Sequence, residues 1–283
     1  MKFFLAAAAL AFVSASPLIS HANATDTIMP IGNYAEAIDG RTVAFLAHDL
    51  ETGERIVLQG SDLESAHAPW STFKIPNLLI ALEEGFTPDL DTVRAWDSDA
   101  RPAAFWWPDA WKQDQTLETA FQHSAVWYFQ DIAQHVGAST YRELLNEWGY
   151  GNAGAPDGSD SFWLAGGLEI SVEGQVAFLQ RVVERDLPIE TSSYEALDEA
   201  SLVNTFDGYE LHGKTGGGTV IPGNFSGPFE GWYSGYVTRD GQAPVVFTLY
   251  TQGPDWASIR SFRQTFATRL LVDASLLPAG FTN

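Results

Sequence analysis

Residues 208–218 read GYELHGKTGGG, and the fold depends on how this stretch is interpreted. Residues 208–215 satisfy the pattern G-x-x-x-x-G-K-[ST], in which a glycine-rich loop cradles phosphate groups at the start of a helix. The same letters also suit a β-strand that presents Lys214 and Thr215 at the edge of a cleft, where glycines let a ligand approach the backbone. The first interpretation places Lys214 against a phosphate and requires a helix. The second places it against a carboxylate and requires a strand.

The residues that follow decide between these two interpretations. Residues 216–228 read GGGTVIPGNFSGP, and five glycines with two prolines cannot propagate a helix. In addition, no apolar strand ending in Asp is available to hold the magnesium ion that accompanies a nucleotide. The sequence therefore predicts a strand over residues 209–216 and no phosphate-binding loop.

Both ends of the chain contain hairpin patterns. Residues 41–60 have β-rich runs on either side of an E-T-G-E turn, and residues 231–251 have them on either side of R-D-G. Residues 256–271 follow with helical spacing. Strands near both ends with a closing helix predict a mainly antiparallel sheet assembled from the two ends of the chain.

The middle of the chain predicts helices. Helical periodicity with few breakers occurs at residues 72–84, 117–136, 139–148 and 171–184, and Ser139 and Ser171 are the expected starts of the last two. Residues 149–167 form a loop rich in Gly, Asp and Ser. The predicted fold class is α+β, a helix-flanked sheet with an inserted helical lobe. We expect one domain over residues 25–283, with the sheet formed by 25–65 and 205–283 and the helical lobe by 66–204.

The N-terminal 24 residues have the composition of a cleavable signal peptide. Lys2 precedes an apolar run over residues 3–13 that is too short to span a bilayer, and Ala22-Asn23-Ala24 offers a small-residue cleavage site. No later stretch has the length and apolarity of a membrane anchor. We expect cleavage after Ala24 and a secreted or periplasmic protein.

The net charge limits the expected partners, and the cysteine content limits how the fold can be stabilised. The net charge of −21 repels nucleic acid and anionic membranes, so we expect neither as a partner. The chain has no cysteine, so its stability rests on packing rather than on disulfides. No H-E-x-x-H motif or Cys/His cluster predicts a metal site. A positively charged site on so acidic a protein would be local.

The stretch PWSTFKIPN at residues 69–77 contains an S-x-x-K motif. If a helix starts near Thr72, Ser71 lies at its N-terminus and Lys74 lies one turn later on the same face. The hydroxyl then meets a potential base whose apolar neighbours lower its pKa. The alternative is a serine N-cap with an incidental lysine. Pro76 inside the helix costs stability unless other contacts fix that turn.

Three more short motifs follow in the helical lobe. Ser124-Ala125-Val126 lies on a predicted helix, where a serine facing a neighbouring helix is the alternative interpretation. Tyr150-Gly151-Asn152 by default forms a turn. Trp163 lies in a polar loop, and a buried indole N–H needs a partner.

Taken in order, S-x-x-K, S-x-V, Y-G-N, W-L and K-T-G closely resemble the class D serine β-lactamases over nearly all of the mature chain. The resemblance implies the serine β-lactamase and penicillin-binding-protein transpeptidase-like fold, with small-molecule β-lactams as substrates. The sequence departs from the family at Gly217-Gly218, where many members carry a bulky residue. This departure leaves substrate preference open.

The resemblance also implies roles for individual residues. Ser71 would be the nucleophile, and its backbone N–H with that of Gly217 would form the oxyanion hole. Ser124 would relay a proton to the leaving nitrogen. The substrate carboxylate would be bound on the strand by Lys214, Thr215 and Gly216, together with Arg260, although Arg263 lies one helical turn away. An apolar pocket around Lys74 would be made by Phe73, Val126, Phe129, Trp163 and Leu164.

Hydrolysis of the acyl-enzyme needs a base. A free lysine has a pKa of about 10.4 and would be protonated. Class A enzymes use a loop glutamate, but the equivalent position here is Arg142. Class D membership implies instead that neutral Lys74 takes up carbon dioxide and becomes N-carboxylated, with the Trp163 indole donating to the new carboxylate. No other cofactor is implied.

Two other functions share the acylation motif. A penicillin-binding D,D-peptidase would acylate on Ser71 but release β-lactams slowly, and a β-lactam sensor domain would acylate without turnover. The sequence leaves open the substrate range, including carbapenems, and whether the protein is a monomer or a homodimer.

Overall fold

The computed structural model describes residues 26–164 and 166–282. The predicted signal peptide, residues 1–24, lies outside these ranges. None of the helices within them is long and apolar enough to span a bilayer.

The described chain forms one sheet of seven strands in the order β1-β3-β2-β7-β6-β5-β4. The strands are β1 (Thr27–Met29), β2 (Thr42–Asp49), β3 (Arg55–Leu58), β4 (Leu202–Phe206), β5 (Tyr209–Thr219), β6 (Phe229–Arg239) and β7 (Gln242–Gly253). Only β1 and β3 are parallel. The two chain ends meet where β2 pairs with β7, from Thr42 opposite Gln252 to Asp49 opposite Val245. The prediction of a mainly antiparallel sheet built from both ends is confirmed.

Residues 208–218 lie almost entirely in β5 and contain no helix. The strand continues past its predicted end at residue 216, because β6 pairs with it as far as Thr219 opposite Phe229. The glycines therefore extend the strand, and the phosphate-loop interpretation is excluded.

The helices cover both faces of the sheet. They are α1 (Ala35–Ile38), α2 (Lys74–Glu83), α3 (Leu117–His123), α4 (Val126–Val136), α5 (Ala138–Trp148), α6 (Val172–Val183), α7 (Thr191–Ser201), α8 (Trp256–Arg260) and α9 (Phe262–Asp273). Side chains from α1 and α9 pack on one face, and the helical lobe covers the other. Sequence periodicity did not predict α7 or β4.

Several predicted helix boundaries are wrong. The single helix expected over 117–136 is broken at Ser124, whose φ of 61° ends α3 before α4 begins. The helix expected over 256–271 is broken at Ser261. Helix α5 begins at Ala138, so Ser139 lies inside its first turn. The predicted start at Ser171 is confirmed, because its hydroxyl accepts a hydrogen bond from the Gly174 N–H.

A 3₁₀ turn, Trp70–Phe73, precedes α2, which begins at Lys74 rather than near Thr72. Pro76 is therefore the third residue of α2. The first-turn N–H groups of a helix have no partner within the helix, so proline costs little there. The helix thus starts two residues later than the predicted start near Thr72.

A buried ion pair fastens one corner of the sheet. Both terminal nitrogens of Arg239 donate to Asp49, at 3.0 and 2.8 Å, and the two side chains are only 8% and 9% exposed. Burial alone would raise the pKa of Asp49. Hydrogen bonds from Arg239 and the backbone outweigh that effect and leave the pKa lowered, so the pair stabilises the fold above the ordinary carboxyl pKa and loses its effect as the pH falls.

Asp49→Ala is expected to lower the free energy of unfolding by about 3–5 kcal/mol, because it leaves a buried guanidinium without its counter-ion. Urea denaturation at neutral pH measures this. Asp157→Ala is the control, since that carboxylate is 87% exposed beside Arg142, and its removal should cost less than about 1 kcal/mol. Equal losses in the two variants would contradict a special role for the buried pair.

Candidate active site

Ser71, Ser124 and the β5 residues after His212 border one space, which we call the cleft. Strand β4 pairs with β5 only as far as His212, so no described strand covers the outer edge of β5 beyond it. The Trp70–Phe73 turn packs against this segment. A side chain at Gly216 would come within 2.7 Å of the Pro69 carbonyl oxygen, so only glycine lets the strand lie this close to the turn.

Ser71 and Lys74 form the first pair of reactive groups in the cleft. The Lys74 amino group lies 3.0 Å from the Ser71 hydroxyl oxygen, because residues three apart in a 3₁₀ turn share one side. Lys74 is fully buried, with its Nζ 4.9 Å from the centre of the Phe129 ring. Burial, and then the charge of Lys214, hold the pKa of Lys74 well below its usual value. Lys74 is thereby fitted to act as a base.

Ser124 and Lys214 form the second pair. The Lys214 amino group donates to the Ser124 hydroxyl at 2.5 Å and to the Thr215 carbonyl at 3.2 Å. Ser124 reaches the cleft from the break between α3 and α4, where its positive φ turns the chain. Burial, and then the charge of Arg263, lower the pKa of Lys214 to about 7. Lys214 can therefore exchange a proton through Ser124 near neutral pH.

Of the five apolar residues that the resemblance implied around Lys74, Phe129 lies against its amino group, and all five belong to or pack on one core cluster. Phe73, Phe129 and Trp163 are fully buried and Val126 nearly so, while Leu164 packs on the same core from a partly exposed position. The Phe73 and Trp163 rings stack at 5.5 Å. The Trp163 indole nitrogen is buried and has no acceptor among the described residues. Among the described residues, no carboxylate forms an ion pair with Lys74 or accepts from the Trp163 indole.

The Y-G-N motif holds the loop that carries Trp163. Asn152 donates to the Gly167 carbonyl at 2.8 Å, and its side-chain oxygen accepts from the N–H groups of Gly154 and Glu169 at 3.0 Å each. Gly151 has a φ of 55°, and a side chain there would lie 2.2 Å from the Glu169 carbonyl oxygen. The motif thus stabilises the conformation of the loop rather than supplying reacting groups.

The arginine beside the cleft is Arg263. Its Nη1 donates to the Gly216 carbonyl at 2.8 Å, and its guanidinium lies 4.8 Å from the centre of the Trp256 ring. Burial, and then the charge of Arg260, lower the pKa of Arg263 to about 10. Arg260, chosen from the sequence, is exposed at the end of α8. The resemblance implied Arg260 and left Arg263, one helical turn away, as the alternative; the helix breaks at Ser261, and it is Arg263 that contacts β5.

The carboxylate-binding and oxyanion candidates line the open part of β5. Thr215 and Gly217 are partly exposed, as Ser71 and Ser124 are, whereas Lys214 and Gly216 are buried. A side chain at Gly217 would come within 2.5 Å of Arg263 Nη1 and 2.9 Å of the Trp256 ring. The bulky residue common in the family at this position therefore has no room here.

No metal site accompanies these residues in the described ranges. A cavity of about 420 Å³ between α2 and α7 has several carboxylates in its lining, among them Glu83, Asp89 and Glu199. No three His, Asp or Glu side chains there, or elsewhere in residues 26–164 and 166–282, are placed to hold a metal ion. Trp70, which lies in the turn beside the cleft, donates to the buried Glu230, and the sequence motifs gave neither of them a role.

Lys74→Met is expected to raise the free energy of unfolding by about 1–2 kcal/mol at neutral pH, because it removes a buried amine that has no counter-ion within the described part of the chain. Lys74 has its ordinary pKa, 10.5, in the unfolded chain and a lower one when folded. The unfolded chain binds more protons between these values, so wild-type stability falls as the pH falls below 10.5 and the advantage of the variant grows.

Urea denaturation between pH 7 and 11, in buffer free of carbon dioxide, measures this difference. Lys112→Met is the control, since Lys112 is 36% exposed and pairs with the exposed Asp109. A Lys74→Met protein whose stability relative to wild type did not depend on pH would contradict the lowered pKa.

Comparison with known proteins agrees with this geometry. Residues 43–270 match the penicillin binding protein transpeptidase domain family. The chain is 35% identical over 216 residues to β-lactamase OXA-5 of Pseudomonas aeruginosa, covering 76% of this chain and 78% of that relative.

Solved structures give the same assignment. A class D β-lactamase, the BAT-2 delta mutant, matches with a TM-score of 0.73 and 26% identity over 87% of this chain and 97% of its own. The C-terminal domain of the Bacillus licheniformis BlaR penicillin receptor matches with a TM-score of 0.80 and 25% identity, over 91% and 99%. The chain shares the fold of these proteins and has a buried lysine beside a serine. It belongs to the class D β-lactamases.

Proposed function

We propose that this protein hydrolyses β-lactams through an ester on Ser71, with Lys74 as the base. The observation that carries the proposal is the fully buried Lys74 amine, its pKa well below the usual range, 3.0 Å from the Ser71 hydroxyl. A serine hydroxyl is a weak nucleophile until a neighbouring base takes its proton. Class D relatives support β-lactams as the substrates.

Acylation uses the two serine–lysine pairs in sequence. In its N-carboxylated form, Lys74 would accept the Ser71 proton as the oxygen attacks the lactam carbonyl, and the backbone N–H groups of Ser71 and Gly217 would stabilise the resulting oxyanion. The carbon–nitrogen bond of the ring then breaks. Ser124 passes its proton to the leaving nitrogen and is reprotonated by Lys214, which lies 2.5 Å away.

The substrate carboxylate binds at the open edge of β5. Lys214, Thr215 and Arg263 line this edge, and Gly216 and Gly217 let the substrate lie against the backbone. An anion beside Lys214 favours its protonated form and raises a pKa that stands at about 7 without substrate. We therefore assign Arg263 the role that the sequence gave to Arg260.

Hydrolysis of the ester requires a general base. Arg142 stands where class A enzymes carry a loop glutamate, so it supplies no carboxylate for this step. Arg142 donates to the Ala155 carbonyl and to Asp157 instead. A neutral, buried lysine amine can add carbon dioxide, and the Trp163 indole N–H, which lacks an acceptor among the described residues, fits as the donor to the group formed. N-carboxylation of Lys74 before the substrate binds would supply a carboxylate that activates first Ser71 and then, after the proton is released, the hydrolytic water.

The similarity to the penicillin receptor favours a second candidate function. A sensor of this kind would acylate on Ser71 and keep the ester. The transpeptidase-domain match leaves a D,D-peptidase as a related possibility with slow release. The three functions differ in one quantity, the lifetime of the acyl-enzyme.

Export of the mature protein is also part of the proposal. Its support is the apolar run followed by Ala22-Asn23-Ala24 in the sequence. Expression of the full chain in a bacterial host, followed by N-terminal sequencing of the periplasmic fraction, tests it. We expect the protein to begin at Thr25, and an intact Met1 terminus would contradict cleavage.

Activity is expected to depend on dissolved carbon dioxide. Steady-state hydrolysis of a chromogenic cephalosporin should fall at least about tenfold in degassed buffer, as expected when a general base is lost, and return with bicarbonate. Trp163→Phe should require more bicarbonate for half-maximal activity, because the variant loses the indole donor.

Trp148→Phe is the matched control for this experiment. Trp148 is fully buried in α5, and its indole nitrogen also lacks an acceptor in the described part of the chain. We expect its bicarbonate requirement to equal that of wild type. Full wild-type activity without carbon dioxide would rule out N-carboxylation of Lys74.

Arg263→Ala is expected to raise KM by about tenfold or more, because it removes a charged hydrogen-bond donor from the substrate carboxylate. Arg260→Ala, the matched control three residues away, should leave KM within about twofold. With a β-lactam whose carboxylate is esterified, both variants should resemble wild type. A KM effect confined to Arg260→Ala would reverse the assignment.

A further inference from the structure

Trp70 directly precedes the proposed nucleophile and has an unusual backbone conformation. Its φ is 51°, in the left-handed region that large side chains avoid. A bulky residue stays in this conformation only when its surroundings determine it, and such residues cluster at functional sites. The contacts of Trp70 therefore bear on the position of Ser71.

Three elements around the cleft hold Trp70. Its backbone N–H donates to the Trp163 carbonyl at 3.1 Å, and its indole N–H donates to the Glu230 carboxylate in β6 at 2.6 Å. Its ring lies on β5 at Gly218, where an added side chain would come within 2.2 Å of the indole. Trp70 thus joins the Trp163 loop, β5 and β6.

The Glu230 carboxylate is itself fixed by a buried network. It is only 6% exposed and accepts a hydrogen bond from the Tyr250 hydroxyl at 2.7 Å. That hydroxyl also lies 3.1 Å from His67 Nδ1 and accepts from Gln252 at 2.5 Å, while the His67 and Tyr250 rings stack at 4.1 Å. The Glu230 carboxylate, which accepts from the Trp70 indole, is therefore held in place by neighbouring side chains of the sheet.

The Trp70 indole lies next to the strand that carries one donor of the proposed oxyanion hole. One donor, the Ser71 N–H, belongs to the residue after Trp70. The other, the Gly217 N–H, belongs to the residue before Gly218, on which the indole lies. The other face of the strand, at Gly217, is covered by Trp256. The two donors lie on different elements: Trp70 belongs to the turn that carries one of them, and its ring contacts the strand that carries the other, at Gly218.

We propose that Trp70 is a positioning residue that sets the separation of the two oxyanion-hole donors by fastening the nucleophile's turn to Gly218 and Glu230. This inference deepens the proposed function and rests on it. Hydrogen bonds to an oxyanion depend steeply on donor position, so a loosened turn should slow acylation. A residue that only packs would affect stability alone.

The experiment measures the acylation rate constant with benzylpenicillin by rapid-quench mass spectrometry in Trp70→Ala and Trp70→Phe. Trp70→Ala should slow acylation by about tenfold or more, at the lower end of the loss caused by removing one oxyanion-hole donor. Trp70→Phe keeps a ring on Gly218 but loses the bond to Glu230, so a smaller loss is expected. Infrared spectra of the acyl-enzyme should show a higher ester carbonyl frequency in Trp70→Ala, because hydrogen bonds to that oxygen weaken.

A double-mutant cycle with Gly218→Ala tests the contact itself. Gly218 has no left-handed φ, so its substitution by alanine is opposed mainly by the Trp70 ring. Gly218→Ala alone should slow acylation by about tenfold or more, whereas in the Trp70→Ala background the same change should cost less than about threefold. Equal effects in both backgrounds would overturn the proposal.

Trp148→Ala is the matched control for the loss of a buried indole. Trp148 is fully buried and stacks on Phe178 in the helical lobe, and its indole nitrogen makes no hydrogen bond to Trp70, Gly218 or Glu230. We expect a lower melting temperature and an unchanged acylation rate well below it. If Trp70→Ala also acylated at the wild-type rate with an unchanged carbonyl frequency, the positioning role would be refuted and the proposed function would stand. Absence of any adduct in wild type would refute the proposed function as well.

Discussion

The burial of two lysine amino groups that form no ion pair with a carboxylate in residues 26–164 and 166–282 is the constraint on which the rest of the site depends. Lys74 and Lys214 are 0% and 5% exposed, and each lies within hydrogen-bond distance of a serine hydroxyl. Such amines lose their protons more readily than amines in water, which makes them usable as bases at neutral pH. Burying the two amines lowers the stability of the folded protein, so a large packed core has to offset that loss.

The fold meets this requirement by bringing distant segments together. Ser71 and Lys74 come from the 3₁₀ turn before α2, Ser124 comes from a break between two helices, and Lys214 comes from the central part of β5. Strand β5 holds its place because β6 pairs with it along its length and β7 joins β6 to the N-terminal hairpin. The position of each reactive group is therefore fixed by the whole sheet.

Local sequence signals predicted much of this arrangement, and long-range packing explains the rest. The hairpin turns at residues 51–54 and 239–241 specify their strands, and the order of the short motifs indicated Ser71, Ser124 and Lys214. The resemblance gave the carboxylate role to Arg260 with Arg263 one helical turn away, and the break at Ser261 leaves Arg260 exposed while Arg263 is buried against β5. Trp70 could not be recognised, since its φ depends on partners about 90 to 160 residues later in the chain.

The central claim is an ester on Ser71 that forms and is then hydrolysed within one catalytic cycle. Intact-protein mass spectrometry after mixing with benzylpenicillin, with peptide mapping of the adduct, measures its formation and decay directly. The account predicts an adduct on Ser71 that appears at once, decays when free penicillin is exhausted, and is absent in Ser71→Ala. An adduct that persists for hours, or hydrolysis without any adduct on Ser71, would contradict it.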